Sequence, residues 1–320
     1  MNESHWDVII VGGGSAGLNA ALVLARARRR VVVVDAGQPR NRFAAHMHGY
    51  LTRDGFSPLE LLEIGRGEVR GYGGEIVSGR ALTVTGEVGD FRVTLDDGRM
   101  LTGRRLVVAT GLRDELPAIP GLAEQWGRGA VACPYCDGWE VRDTRIGVLA
   151  TTALSVHQAG LVRQWSPDVT FVGPKTAELE EPIRAGFLAR GIRILETAVT
   201  EVLSRADGSL AGVALADGST LDLDALFVGP RMVANDDLLR QLGADRAESP
   251  MGEWTAADPM GQTSVPGVWV AGNSGNPGAL VIVAAAAGAT AAAHINADLV
   301  ADDTRRALAA ASPLAAPTPA

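Results

Sequence analysis

The chain of 320 residues holds two cysteines, separated by two residues in Cys133-Pro134-Tyr135-Cys136-Asp137. A pair at that spacing can close a small disulfide, and helical geometry after the first sulfur lowers its thiol pKa toward neutrality, making it a thiolate nucleophile. The chemistry implied is dithiol–disulfide exchange. A structural zinc would need four ligands, and the five histidines, His5, His46, His48, His157 and His294, stand at no finger-like spacing from the sulfurs. A pair of inert buried thiols is the other reading; the spacing and the proline between the sulfurs favour the redox one.

A second chemical signature lies near the N-terminus. Asp7-Val8-Ile9-Ile10-Val11 is a β-branched run of the kind found in buried parallel strands. It leads straight into Gly12-Gly13-Gly14-Ser15-Ala16-Gly17, then an apolar helical pattern through Leu18, Ala21, Leu22 and Leu24, then Val31-Val32-Val33-Val34-Asp35. Gly12, Gly14 and Gly17 satisfy G-x-G-x-x-G. Such glycines allow a tight turn and let backbone N–H groups approach a pyrophosphate, while an acid at the end of the second strand accepts from a ribose hydroxyl. In strand, turn, helix, strand, acid order the motif is specific for a dinucleotide.

These elements must be positioned by a larger α/β scaffold. Residues 75 to 111 read as a β-meander that returns to the first sheet at Leu106-Val107-Val108-Ala109-Thr110-Gly111. A second βαβ half follows, with strands at Ile146 to Leu149 and Val169 to Val172, helical spacing over 153–165, and strands near 193–195, 212–215 and 225–228. A last strand runs through Gly267 to Asn273, and an Ala-rich helix from about Leu280 to Ala297 is expected to pack inside the fold. The fold class is therefore α/β with two Rossmann-like domains. The expected division is 1–114 with 243–308 for the first, 115–242 for the second, and a disordered Ala/Pro-rich tail over 309–320.

Composition narrows the function class. Apolar residues make up 47% of the chain, as in globular proteins, and 29 basic against 37 acidic residues give a net charge of −8 with the arginines scattered, so no nucleic-acid partner is expected. No segment reads as a membrane span and no signal-peptide pattern precedes the first strand, so a cytoplasmic location is expected, where two cysteines are more plausibly catalytic than structural.

Gly12-x-Gly14-x-x-Gly17 with Asp35, Ala109-Thr110-Gly111, Cys133-x-x-Cys136-Asp137-Gly138 and Gly267 to Asn273 together resemble the low-molecular-weight thioredoxin reductase family over roughly residues 6 to 300. The resemblance implies FAD in the first domain and the redox disulfide in the second, with Cys136 facing the flavin, Cys133 exchanging with substrate and Asp137 moving protons. It also implies a homodimer. The cofactor residues it implies are Gly12, Gly14, Ser15, Ala16, Gly17, Asp35, Ala36, His48, Ala81, Ala109, Thr110, Gly111, Gly272, Asn273 and Val281. Asn273 stands where the reductases have Asp; an amide still hydrogen-bonds a ribityl hydroxyl.

One departure bears on function. A nicotinamide site in the second domain requires another glycine turn after the strand at 146–149, and the chain has Ala150, Thr152 and Ser155 there. Side chains at those points obstruct a pyrophosphate. The basic cluster for a 2′-phosphate is reduced to Gly173-Pro174-Lys175, and a single lysine is a poor substitute for paired arginines. The chain thus resembles the branch of flavin dithiol oxidases that close disulfides in holomycin, gliotoxin and depsipeptide natural products. That resemblance implies a small-molecule dithiol as substrate and O2 as acceptor, reduced to H2O2. The competing expectation is a thioredoxin reductase-type enzyme using NADPH or another donor such as ferredoxin. His46 and His48 rival Asp137 as the base. Trp126, Tyr135 and Trp139 either line a substrate pocket or serve as core.

Overall fold

The computed structural model describes residues 5–311. The chain divides into two compact units, one formed by Met1–Pro39, Leu59–Arg113 and Ala234–Ala320, the other by Arg40–Pro58 and Asp114–Val233. Two boundaries thus differ from the sequence expectation. The return to the first unit comes at 234 instead of 243, and residues 40–58, expected in the first domain, belong with the second.

In the first unit, five strands run parallel in the order Glu75–Ser78, Val31–Asp35, His5–Val11, Met100–Val108, Val268–Val270. The β-branched residues expected to lie inside do so: Val8, Ile9, Ile10 and Val31 to Val33 are fully buried. The meander expected over 75–111 is real for Ala81–Glu87, Asp90–Leu95 and Met100–Val108, which pair antiparallel. Glu75–Ser78, by contrast, joins the parallel sheet beside Val31–Asp35. The short apolar Ile76-Val77 pair carries no periodicity that separates the two cases.

The helix Ser15–Arg26 packs against the long helix Val281–Ala311. Small residues bring them together: a Cβ added to Gly288 would stand 1.9 Å from the Ala16 carbonyl oxygen. The long helix runs 14 residues past the expected end at Ala297, so the expected tail at 309–311 is helical, and 312–320 lie outside the described residues. Its length and composition would suffice to cross a bilayer. Its inner stripe, Ala284, Ala285, Gly288, Ala291, Ala292, Ile295 and Leu299, is instead buried in this unit. Arg104 and the fully buried Arg105 fasten its C-terminal half, Arg104 to Asp302 at 2.7 Å and to Asp7 at 2.8 Å, Arg105 to Asp298.

The second unit holds a five-stranded parallel sheet ordered Arg193–Leu195, Val169–Val172, Ile146–Leu149, Ala225–Val228, Ala130–Val131. Against it lies an antiparallel sheet of Val199–Ser204, Leu210–Leu215 and Thr220–Asp222. The segment 40–58 is tied down within this unit. Arg40 makes a two-pronged pair with Asp114 at 2.8 and 2.7 Å. Gly127, at φ +77°, lies so close to Phe43 that a Cβ would come within 2.7 Å of it.

Candidate active site

Each unit contributes one chemical centre. In the second, the edge strand Ala130–Val131 delivers the chain to Cys133, and Gln158, buried on the helix Ala153–Val162, donates Nε2 to the Ala132 carbonyl at 2.7 Å. Cys133 caps the short helix Pro134–Asp137, the proline occupying a first-turn position where its missing N–H is no loss. Cys133 and Cys136 form a disulfide, with their Cα atoms 5.2 Å apart. The backbone N–H of Cys136 donates to Cys133 Sγ at 3.2 Å. Gly138 ends the segment because nothing larger fits: a Cβ there would stand 2.4 Å from the Pro134 carbonyl and 2.8 Å from the Trp165 ring.

The aromatic residues near the disulfide separate into two kinds. Trp126 packs against the core of its unit, whereas Tyr135 and Trp139 are 66% and 65% exposed, Tyr135 edge-on to Trp165 and Trp139 under the Arg142 guanidinium. Asp137 is partly buried, and its carboxyl is pushed up to about 6, first by burial and then by Glu140, with His48 opposing. A carboxyl poised there takes up and releases protons near neutrality. His48, expected at the cofactor, is placed by the fold in the second unit: Nε2 lies 3.4 Å from Glu140 and Nδ1 3.4 Å from Asp54. His46 Nδ1 is engaged with the Gly55 carbonyl at 2.9 Å. Glu140 carried no signal in the sequence, because its partner His48 lies 92 residues earlier.

The first unit supplies a cradle. Gly12, at φ +108°, has no room for a Cβ, which would stand 2.2 Å from the Ala109 carbonyl oxygen, and at Gly17 it would stand 1.8 Å from the Gly12 carbonyl oxygen. A Cβ built on Gly14 would meet nothing within 4 Å among the described residues outside its chain neighbours. Gly14 is the N-cap of the helix Ser15–Arg26 and offers no side-chain acceptor, so the first-turn N–H groups at Ser15, Ala16 and Gly17 face outward as anion donors. Asp35 accepts from Gly37 N at 3.1 Å and from Arg66 Nη2 at 2.8 Å, and a carboxylate retains acceptor sites beyond those two. Ala36 follows on the surface, and Ala81 opens its strand two residues past Gly79, whose N–H bonds the Asp35 carbonyl at 3.1 Å. These residues fit a bound dinucleotide.

Further along the same unit, Ser274 is fully buried and accepts from Gly111 N at 2.6 Å. Thr110 donates to the Asn235 carbonyl at 2.5 Å, locking Ala109-Thr110-Gly111 to the turn at Gly272. Asn273 spends its amide N–H groups on the carbonyls of Asn276, Pro277 and Ala279 at 3.0 to 3.2 Å. That leaves Oδ1 as the group able to meet a ligand hydroxyl. The same bonds shape the loop leading to Val281, the first residue of the long helix. Arg66, Asn235 and Ser274 were not legible as site residues, since each acts through a partner far away in sequence.

The second unit's own nucleotide turn is built differently. Ser155 is fully buried, and its Oγ accepts from Thr152 N at 3.2 Å and from Thr151 N at 3.3 Å. Thr151 N also reaches the Leu149 carbonyl at 3.0 Å. Two of the turn's backbone donors, at Thr151 and Thr152, are thus taken by the chain itself. A cavity of about 520 Å³ persists at the carboxyl ends of these strands, lined in part by Ala150, Thr151, Thr152, Lys175, Gly229 and Arg231. Its cations are paired, Lys175 with Glu178 at 3.5 Å and Arg231 with Glu115. Arg184, nearby, is held by the Thr176 carbonyl at 2.9 Å and Glu196 at 3.2 Å. This turn thus presents side chains, and fewer free backbone donors, where the first unit presents bare glycine backbone.

Comparison with known proteins agrees with this layout. Residues 6–288 match the pyridine nucleotide-disulphide oxidoreductase family. The chain is 33% identical over 309 residues to thioredoxin reductase sirT of Leptosphaeria maculans, covering 92% of this chain and 94% of that protein. It is 31% identical over 283 residues to thioredoxin reductase tcpT of Claviceps purpurea, covering 84% and 86%. Among solved structures, HlmI superposes with a TM-score of 0.92 at 48% identity over 98% of both chains. An oxidoreductase from Agrobacterium tumefaciens gives 0.87 at 38% identity over 93% of this chain and 99% of that one.

Proposed function

The chain belongs to the pyridine nucleotide-disulphide oxidoreductase family, and within that family of enzymes we propose that it is an FAD-dependent dithiol oxidase, closing an intramolecular disulfide in a small-molecule dithiol. The observation that carries this reading is the self-satisfied turn at Thr151, Thr152 and Ser155, set beside an open dinucleotide cradle at Gly14. The contrast supports one bound nucleotide and not two.

The chain's own residues then have assigned tasks. Asp137 takes a proton from a substrate thiol, and the thiolate attacks Cys133 Sγ, breaking the Cys133–Cys136 bond and releasing Cys136 as thiolate. The second substrate thiol, deprotonated in turn, attacks the substrate sulfur of the mixed disulfide, and Cys133 leaves as thiolate. The Cys136 N–H that lies 3.2 Å from Cys133 Sγ is placed to stabilise that charge. The substrate has lost two protons and two electrons, and the enzyme dithiol holds the electrons. Gly12, Gly14, Ser15, Ala16, Gly17 and Asp35 would hold FAD, with Ala109 to Gly111, Gly272, Asn273 and the start of the long helix completing its surroundings. When bound, FAD supplies a two-electron acceptor that passes the pair to O2, yielding H2O2. We place the enzyme in the cytoplasm as a homodimer.

A second reading, a reductase fed by NADPH, is favoured by one observation, the cavity of about 520 Å³ that survives beside the altered turn. Oxygen uptake on addition of reduced small-molecule dithiols separates active from inactive sulfur chemistry. Wild type is expected to consume O2 and Cys136→Ser is not. Uptake by the Ser variant equal to wild type would remove the disulfide from the reaction.

A further inference from the structure

Glu140 stands three residues beyond Asp137, and His48, on the segment 40–58 of the same unit, reaches Glu140. The imidazole lies between two carboxylates, Glu140 at 3.4 Å from Nε2 and Asp54 at 3.4 Å from Nδ1, with His48 mostly buried and Asp54 open to solvent. Gly49 N donates to Asp54 at 2.9 Å, fixing that carboxylate. We propose that Glu140 is a positioning residue for the thiol chemistry: it holds the His48 ring against Asp54, so that Asp137 works between a fixed carboxylate on its own segment and a fixed imidazole from another.

The two neighbours pull on Asp137 in opposite senses. Glu140 favours its protonated form and His48 its carboxylate, while burial, the largest influence, acts with Glu140. Other titratable groups on the packed elements do not enter this balance: His46 is engaged with the Gly55 carbonyl, His157 is exposed on the helix Ala153–Val162, and Arg142 stacks on Trp139. With Glu140 and His48 opposed, a proton can be both taken and returned at Asp137 near neutral pH. An isolated buried carboxyl would have only its burial to set that point.

The proposal rests on Asp137 as the thiol base. It is tested by the pH dependence of flavin reduction when the holoenzyme is mixed anaerobically with dithiothreitol, a half-reaction that does not involve O2. The acid limb of wild type is expected near pH 6. Glu140→Gln moves that limb to lower pH by about half a unit or more, His48→Gln moves it up, and Glu140→Asp returns it toward wild type. A limb unmoved in Glu140→Gln, or a rate lowered equally at every pH, overturns the proposal. If Glu140→Gln retains no flavin, the displacement in His48→Gln and Glu140→Asp decides in the same way. Persistence of the limb in Asp137→Asn would instead show that the base is misassigned, an outcome separate from the role of Glu140.

Discussion

At the scale of single residues, Asp137 sets function against stability. Its carboxyl is raised to about 6 chiefly by burial, so the folded state holds a proton more tightly than the unfolded chain. Stability is therefore fully present below the ordinary Asp range and is lost as pH rises from about 4 to about 6, remaining flat above. Asp137→Asn is expected to raise the denaturant midpoint at pH 7.5, by an amount corresponding to about 1–3 kcal/mol. The same change is expected to slow flavin reduction by a dithiol about 10²-fold and to abolish the acid limb. Stopped-flow and chemical denaturation check the two halves. A variant that is neither slower nor more stable contradicts the assignment.

At the scale of elements, the first unit's turn is a fit between backbones. Gly12→Ala places a methyl 2.2 Å from the Ala109 carbonyl oxygen at a φ of +108°, which is expected to cost about 1–3 kcal/mol and to leave the purified protein with little bound flavin. Visible absorbance per protein reads this directly, and a variant that retains full flavin content contradicts the account of the cradle. This element was legible in the sequence because everything that specifies it is local: the β-branched strand, the glycines, the helix stripe and the acid follow one another within thirty residues. The same holds for Cys133 and Cys136. What was not legible depends on tertiary assembly. Nothing around His48 announces that it will meet Glu140, and residues 40–58 read as a loop of the first domain because they follow its second strand. Arg66 sits on a helix, Pro58–Gly71, that pattern alone did not suggest, its apolar positions being diluted by three glycines. Ser274 is a small polar residue in a loop until the fold brings it onto Gly111 N.

At the scale of the whole molecule, the two units have parted company chemically while sharing an architecture. Each places a turn at the carboxyl end of a parallel strand, the position where such sheets receive nucleotides, glycine-rich in the first unit and without glycine in the second. In the first, the helix N-terminus is left bare; in the second, Ser155 Oγ takes the N–H groups of Thr151 and Thr152. The relatives share the scaffold at high coverage, so the proposed direction of electron flow, from dithiol to flavin, is expected to depend on a few side chains at one turn. Anaerobic mixing of the flavin-loaded enzyme with excess NADPH, beside an identical sample mixed with a reduced dithiol, tests this most directly. The dithiol is expected to bleach the flavin and admission of O2 to restore its colour with formation of H2O2, while NADPH leaves the spectrum unchanged. Bleaching by NADPH within seconds would contradict it.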